Sequence, residues 1–207
     1  MTDLWTTVAA ERGALADDLE GLTDAQWETP SLCAGWSVRD VVAHQSGTAD
    51  LNPATFVVAL ARNGFSFTKF VDAGIRRHRG SSPAETLQIF RSLQHSTSAP
   101  PGPKLSWLGE TIVHSEDVRR PLGIGHSYPA DAVRDVMGFY AGSNTLIGTK
   151  RRIAGLRLRA TDQDWTHGEG ALVEGPLLDL LLAATGRAAG CDALAGDGVG
   201  TLRSRCA

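Results

Sequence analysis

Apolar residues in the first 150 positions recur at helical spacing. Leu4, Val8, Leu15, Leu19 and Leu22 fall at intervals of three, four and seven, the stripe of an amphipathic helix that must pack against partners. Thr23-Asp-Ala-Gln26 and Ser37-Val-Arg-Asp40 have the form of capping boxes, and Ser82-Pro83-Ala-Glu85 puts a cap, a first-turn proline and an acid in order. Each predicts a helix start. TPSLCAGW connects the first two, Pro53 interrupts the second helical region, and APPGP at 99–103 is a loop. Pro121-Leu-Gly123 stops the helix carrying GETIVHSEDVRR, and Tyr128-Pro129 opens another expected to run through Met137, Tyr140 and Ile147. Four or more long antiparallel helices make a bundle.

The period changes near Ala154. Leu156-Arg-Leu-Arg-Ala-Thr161 alternates apolar and polar, as a half-buried strand does, and Asp162-Gln-Asp164 supplies a turn before Trp165. A short hairpin follows from this. GPLLDLLLAATGR, with Pro176 at the first helical position and Gly186 at the cap, predicts a helix crossing the small sheet, and the glycine-rich tail holds one more possible strand. The expected organisation is a helical bundle over 1–153 and a small α/β subdomain over 154–207.

Composition narrows the function classes. A chain of 207 residues, 42% hydrophobic and 21% charged, builds a core without staples, and a net charge of −3 offers no basic excess for nucleic acid or anionic lipid. Cys33, Cys191 and Cys206 are odd in number and lack CxxC spacing, which points to reduced thiols and a cytoplasmic setting. They read as buried or tail thiols. The start of the chain lacks the basic and apolar runs of a signal peptide, and no apolar stretch approaches the length of a membrane span.

Candidate chemistry concentrates in GETIVHSEDVRRPLG. Glu110, His114 and Asp117 share one helical stripe that borders an apolar stripe of Leu108, Ile112 and Ser115, so it faces a core edge or cleft. A carboxylate there needs pairing or coordination. His44 in SVRDVVAHQ edges the buried face of an earlier helix and is placed to meet that stripe. Two imidazoles and a carboxylate suit a catalytic metal with an open position, zinc before nickel, cobalt, manganese or iron. The plainer alternatives are a hydrogen-bonded core histidine at His44 and a solvated Glu-x-x-x-His pair. Asp117 suits bonding to a ligand imidazole or pairing with Arg120, and Arg119 and Arg120 suit a last helical turn. His78 reads as part of a solvated basic run, and His95, His126 and His167 as surface or loop residues.

These segments, with the opening WTTVAAERGALADDLEGLTDAQWETPSLCAGWSVRDVVAHQ and the C-terminal LRATDQDWTHGEGALVEGPLLDLLLAATGRAAG, resemble the mycothiol-dependent maleylpyruvate isomerase family of actinobacteria. The resemblance runs over nearly the whole chain. It implies a mostly α fold, a DinB-like metal-binding four-helix bundle followed by the small α/β subdomain. The family's metal ligands map onto His44, Glu110 and His114, with Asp117 behind them. The implied cofactors are a divalent metal, Zn2+ above all, and mycothiol as thiol cosubstrate. The implied substrate is a small electrophilic acid, and Arg187, Arg76 and Arg77 are the candidates for holding its carboxylates. Related DinB-like proteins are thiol S-transferases, so mycothiol S-transfer and a non-catalytic metal-binding module are the alternative readings. The oligomeric state is not legible.

Overall fold

Helix starts follow the caps written in the sequence. Ser37 and Asp40 form a reciprocal capping box, as do Thr23 and Gln26, and Ser82 Oγ accepts from the Glu85 N–H at 3.2 Å. The structure, a computed structural model, describes residues 3–145 and 147–206. The elements are α1 (Leu4–Asp18), α2 (Asp24–Trp27), α3 (Val38–Ala49), α4 (Pro53–Arg62), α5 (Phe67–His78), α6 (Pro83–Ser92), α7 (Lys104–Leu122), α8 (Ala130–Ala141) and α9 (Thr149–Arg152). There follow β1 (Leu156–Ala160), β2 (Thr166–His167), β3 (Ala171–Gly175), α10 (Leu177–Ala184), a 3-10 turn (Ala188–Ala193) and α11 (Val199–Ser204). The fold is mostly α. Among the described residues no helix is long and apolar enough to cross a membrane.

The chain divides into two units, Met1–His126 and Ser127–Ala207. The change of sequence period at 153/154 comes later than this division, because α8 packs with α10 and α9 packs with α8, so both stand with the second unit. In the first unit, α1 packs on α6 and α7, and α3 packs on the same two, closing a four-helix ring; α5 lies against the outside of α3. Its core joins Leu15 of α1 and Leu19 at its C-terminal cap, Trp27, Val38, Val41 and Val42, Phe90 of α6 and Val118 of α7. These come from the stripes that the helical periodicity marks.

The second unit holds a three-stranded sheet of order β2-β1-β3. Strand β1 pairs antiparallel with β2 and parallel with β3, Leu158 lying opposite His167 on one side and Val173 on the other. Leu156, Leu158 and Ala160 are buried while Arg157 and Arg159 face out, as the alternation requires. Helix α10 packs on β1, β3 and α8.

Three local expectations change. The helix begun at Pro129 ends at Ala141 and does not reach Ile147: Gly142 caps it, and Gly148, with φ of 69°, starts α9 instead. The expected C-terminal strand is helix α11; before it, Ala195 forms an isolated bridge to Glu174, and Asp197 and Gly198 hydrogen-bond Leu172 of β3. Pro176 is the cap of α10, not its first residue. Pro121 sits inside the last turn of α7, with Gly123 at φ of 69° ending it.

Candidate functional site

Helices α3 and α7 cross in the ring so that His44 meets Glu110 and His114. Ligand atoms of the three lie within 4.8 Å of one another, and His44 Nε2 is 3.7 Å from Glu110 Oε1. The imidazole rings of His44 and His114 stand edge to face with centroids 5.0 Å apart. Side-chain exposures of 19% for His44, 20% for Glu110 and 15% for His114 mean that the cluster is enclosed by protein but keeps one open side. Asp117, expected on the same stripe, is fully buried behind His114.

The protonation pattern follows from what surrounds each group. Burial and the neighbouring His114 push the His44 imidazole down to about 3, so the ring is neutral. Burial also pulls at His114, but its bonds to Asp117 and Cys33 outweigh that and carry it up to about 10. Burial raises Glu110, opposed by His114, a hydrogen bond from the Thr48 hydroxyl and the Arg12 guanidinium. A carboxylate only accepts, so His114 Nδ1 carries the hydrogen in its 2.8 Å bond to Asp117 Oδ2. That leaves Nε2 as the nitrogen able to bind a cation, the orientation a carboxylate partner gives to ligand histidines.

Cys33 is not a remote thiol. Its Sγ donates to the same Asp117 Oδ2 at 3.0 Å and lies 3.7 Å from His114 Nδ1, and Cys33, His114 and Asp117 form a second grouping with metal-ligand atoms close together. The cause is Pro121. Lacking an N–H, it cannot bond the carbonyl of Asp117 one turn earlier, and that carbonyl accepts from Leu32 N at 3.2 Å instead. The loop between α2 and α3 is thereby docked onto α7. A turn closed by Trp36 N on Cys33 O, with Gly35 at φ of 81°, then swings Trp36 over the site. Its ring lies 4.9 Å from that of His44 and 6.5 Å from that of His114, between centroids. Sequence reasoning read Cys33 only as a buried or tail thiol and passed over Trp36, because nothing local marks a loop as docked; the proline in a helical pattern was the available signal.

The other expected residues separate. Arg76 and Arg77 lie exposed at the end of α5, with Arg77 3.5 Å from Asp50, and Arg187 belongs to the second unit, donating to the carbonyl of Thr185. Arg120 pairs with Glu116, and Asp117 with His114. Arg119 is fully buried and pairs with Asp18 at 2.7 Å, because α1 covers that face of α7, so it is a core ion pair and more than a last-turn cation. His78 is buried between the carbonyl of Gly74 and Asp50, not solvated, and His126 pairs with Glu11 at 2.7 Å. Beside the cluster sits Arg12, which sequence reasoning did not single out.

The donor set fits a divalent cation, which would displace the His114 Nε2 proton: two imidazoles and one carboxylate, on two helices, with an open side. Residues 8–102 match the family model of the mycothiol maleylpyruvate isomerase N-terminal domain. Over these residues the chain is similar to that domain. The matched residues include most of α1, all of α3 and His44, while Glu110 and His114 lie beyond them. Similar in fold is the crystal structure of a histidine-to-alanine mutant of the mycothiol-dependent maleylpyruvate isomerase, at 14% identity, 94% coverage of this chain, 92% of that chain and a TM-score of 0.64. The crystal structure of the mycothiol-dependent maleylpyruvate isomerase itself matches at 15% identity, with the same coverages and a TM-score of 0.59. No curated protein matches the sequence.

Proposed function

We propose that the protein is a divalent-metal-dependent enzyme in which His44, Glu110 and His114 hold the ion, and that it activates mycothiol for cis-trans isomerisation of a small electrophilic acid in the manner of a maleylpyruvate isomerase. The observation that carries this reading is the convergence of two neutral-capable imidazoles and one carboxylate on an open-sided site, in a chain similar over residues 8–102 to the mycothiol maleylpyruvate isomerase N-terminal domain. Zinc matches the donor set best. When bound, the cation favours the thiolate form of a thiol, which is the nucleophilic form.

The chain's own residues prepare the rest. Asp117 holds the proton of His114 Nδ1 and turns Nε2 inward, and Cys33 donates to the same carboxylate oxygen, keeping Asp117 fully hydrogen-bonded while buried. Trp36 lays an apolar ring along both imidazoles and keeps water off that side. Glu110 brings the one negative charge among the three. In the isomerisation, the sulfur adds to one carbon of the cis double bond, the resulting single bond rotates, and the sulfur leaves with its bonding pair to give the trans acid. The thiol is regenerated.

Turnover of maleylpyruvate with and without mycothiol tests this directly. A rate that needs both thiol and metal, and is absent in His44→Ala, is expected. A thiol-independent rate, or a His44→Ala protein that keeps one tightly bound metal, overturns it. Thiol-dependent consumption of another electrophile without isomerisation reassigns the site to mycothiol S-transfer.

A further inference from the structure

A small pocket adjoins the three-residue cluster and shares Glu110 with it. Arg12 of α1, Gln45 and Thr48 of α3, and Trp107 and Thr111 of α7 complete its wall. Gln45 is 3% exposed, and neither its amide nitrogen nor its amide oxygen has a hydrogen-bond partner among the described residues. Buried amides are otherwise satisfied almost everywhere, so an orphaned donor and an orphaned acceptor on one pocket wall mark a place for a water or a ligand group that supplies both. Arg12 is equally buried, at 5% exposure, and only its NH1 is engaged, by the carbonyls of Leu93 and Ser96 at 3.4 and 2.9 Å. Its remaining N–H groups make no hydrogen bond among the described residues and are available to an anion. The Thr111 hydroxyl donates to the Trp107 carbonyl one turn back, at 2.9 Å, the Thr48 hydroxyl shares its one hydrogen between the His44 carbonyl at 3.2 Å and Glu110, and both keep acceptor capacity.

We propose that this pocket is a recognition subsite for a carboxylate with a neighbouring hydroxyl, enol or amide: Arg12 takes the carboxylate, and Gln45 gives one hydrogen bond to the neighbouring group and accepts one from it. A guanidinium on a planar anion and an amide matched donor to acceptor are specific because each leaves a buried polar group unmet when the wrong ligand enters. For the reaction it serves the subsite rests on the metal reading of the adjacent cluster, where a cation offsets the repulsion between Glu110 and a carboxylate; Arg12 and Gln45 define the subsite itself. Two molecules carry such a group: the acid to be transformed and a thiol bearing its own carboxylate.

The test is calorimetric titration of the protein, with and without one equivalent of zinc, by 2-hydroxybutanoate, by N-acetylcysteine and by N-acetylcysteamine, which has the thiol and amide but no carboxylate. Zinc stoichiometry is measured separately. With zinc, 2-hydroxybutanoate is expected to bind wild type and to lose at least tenfold in affinity in Arg12→Met and in Gln45→Met, with zinc stoichiometry unchanged. Sensitivity confined to N-acetylcysteine, and absent for N-acetylcysteamine, assigns the subsite to the thiol's carboxylate. Arg12→Met also removes the anchor to Leu93 and Ser96, so Gln45→Met is the cleaner variant: it breaks no hydrogen bond and is expected to melt no lower than wild type. Equal affinities for all probes in wild type and Gln45→Met, or no binding of either carboxylate with or without zinc, overturn the subsite. Arg12- and Gln45-dependent binding in a protein that takes up no zinc keeps the subsite and removes the metal reading instead.

Discussion

Two buried polar regions of the first unit sit on the same helix α3 and are built on opposite rules. At its N-terminal end, Arg39 places Nε on Thr86 Oγ1 at 2.9 Å, NH2 on the carbonyls of Arg79 and Gly80 at 3.0 and 3.1 Å, and NH1 within 3.6 Å of Glu28. Arg79 in turn pairs with Glu28 and Asp40, and Asp40 closes the capping box on Ser37. Every charge there has its partner inside the protein. Further along the helix, His44 and Gln45 meet Glu110 and Arg12, where the amide of Gln45 is orphaned and His44 and Glu110 approach only to 3.7 Å. The contrast separates polar groups that hold the fold from polar groups held ready for something else, because an interior tolerates unmet hydrogen-bonding capacity only where a water, ligand or ion meets it.

Five substitutions break or sharpen this contrast. The largest loss is expected at the closed network. Arg39→Met removes the buried donors to the Arg79 and Gly80 carbonyls and the Thr86 hydroxyl together, and should lower the unfolding free energy in urea by about 3 kcal/mol, with zinc stoichiometry of the folded fraction unchanged. The open site should respond the other way round. His44→Ala should melt close to wild type without metal, yet zinc at a hundredfold excess over its dissociation constant should stabilise wild type by about 2.7 kcal/mol and the variant not at all; equal zinc-induced shifts would remove His44 from the ligand set. Next, Asp117→Asn keeps the shape but no longer holds the His114 Nδ1 proton by charge, so zinc affinity should fall about 10- to 100-fold in a competition assay against a chelator. Cys33→Ser, which keeps a donor to Asp117, should fall less than Asp117→Asn, and a larger loss would make Cys33 a ligand. Smallest of all, Ser82→Ala removes the cap of α6 and should cost about 1 kcal/mol of unfolding free energy without touching zinc affinity or thiol-dependent turnover.

What was legible in the sequence was what short-range rules govern. The capping boxes at Thr23 and Ser37 and the cap at Ser82 begin helices where expected, and Leu156-Arg-Leu-Arg-Ala alternates into β1, since caps and alternation act within a few residues. Helix ends were less legible. The helix expected to reach Ile147 stops at Ala141, and the expected last strand is α11, because a chain's continuation is decided by what it packs on. The stripe of Glu110, His114 and Asp117 could be read from its i, i+4 and i+7 spacing alone. The docking of Cys33 onto Asp117 could not, since it depends on a carbonyl freed by Pro121 meeting the N–H of Leu32, a residue more than eighty positions away.

The amino-acid sequence by itself determined a helical bundle with one acidic and imidazole stripe on α7 and an imidazole at the edge of α3, because helical geometry turns spacing directly into a shared face. Only the tertiary structure decided that those two faces meet, that Trp36 and Cys33 close over them, and that Arg12 and Gln45 stand beside Glu110 without internal partners for the amide. The physical reason is the same for each: contacts between distant segments are set by how the ridges of whole helices pack, and no local pattern encodes which polar groups that packing leaves unanswered.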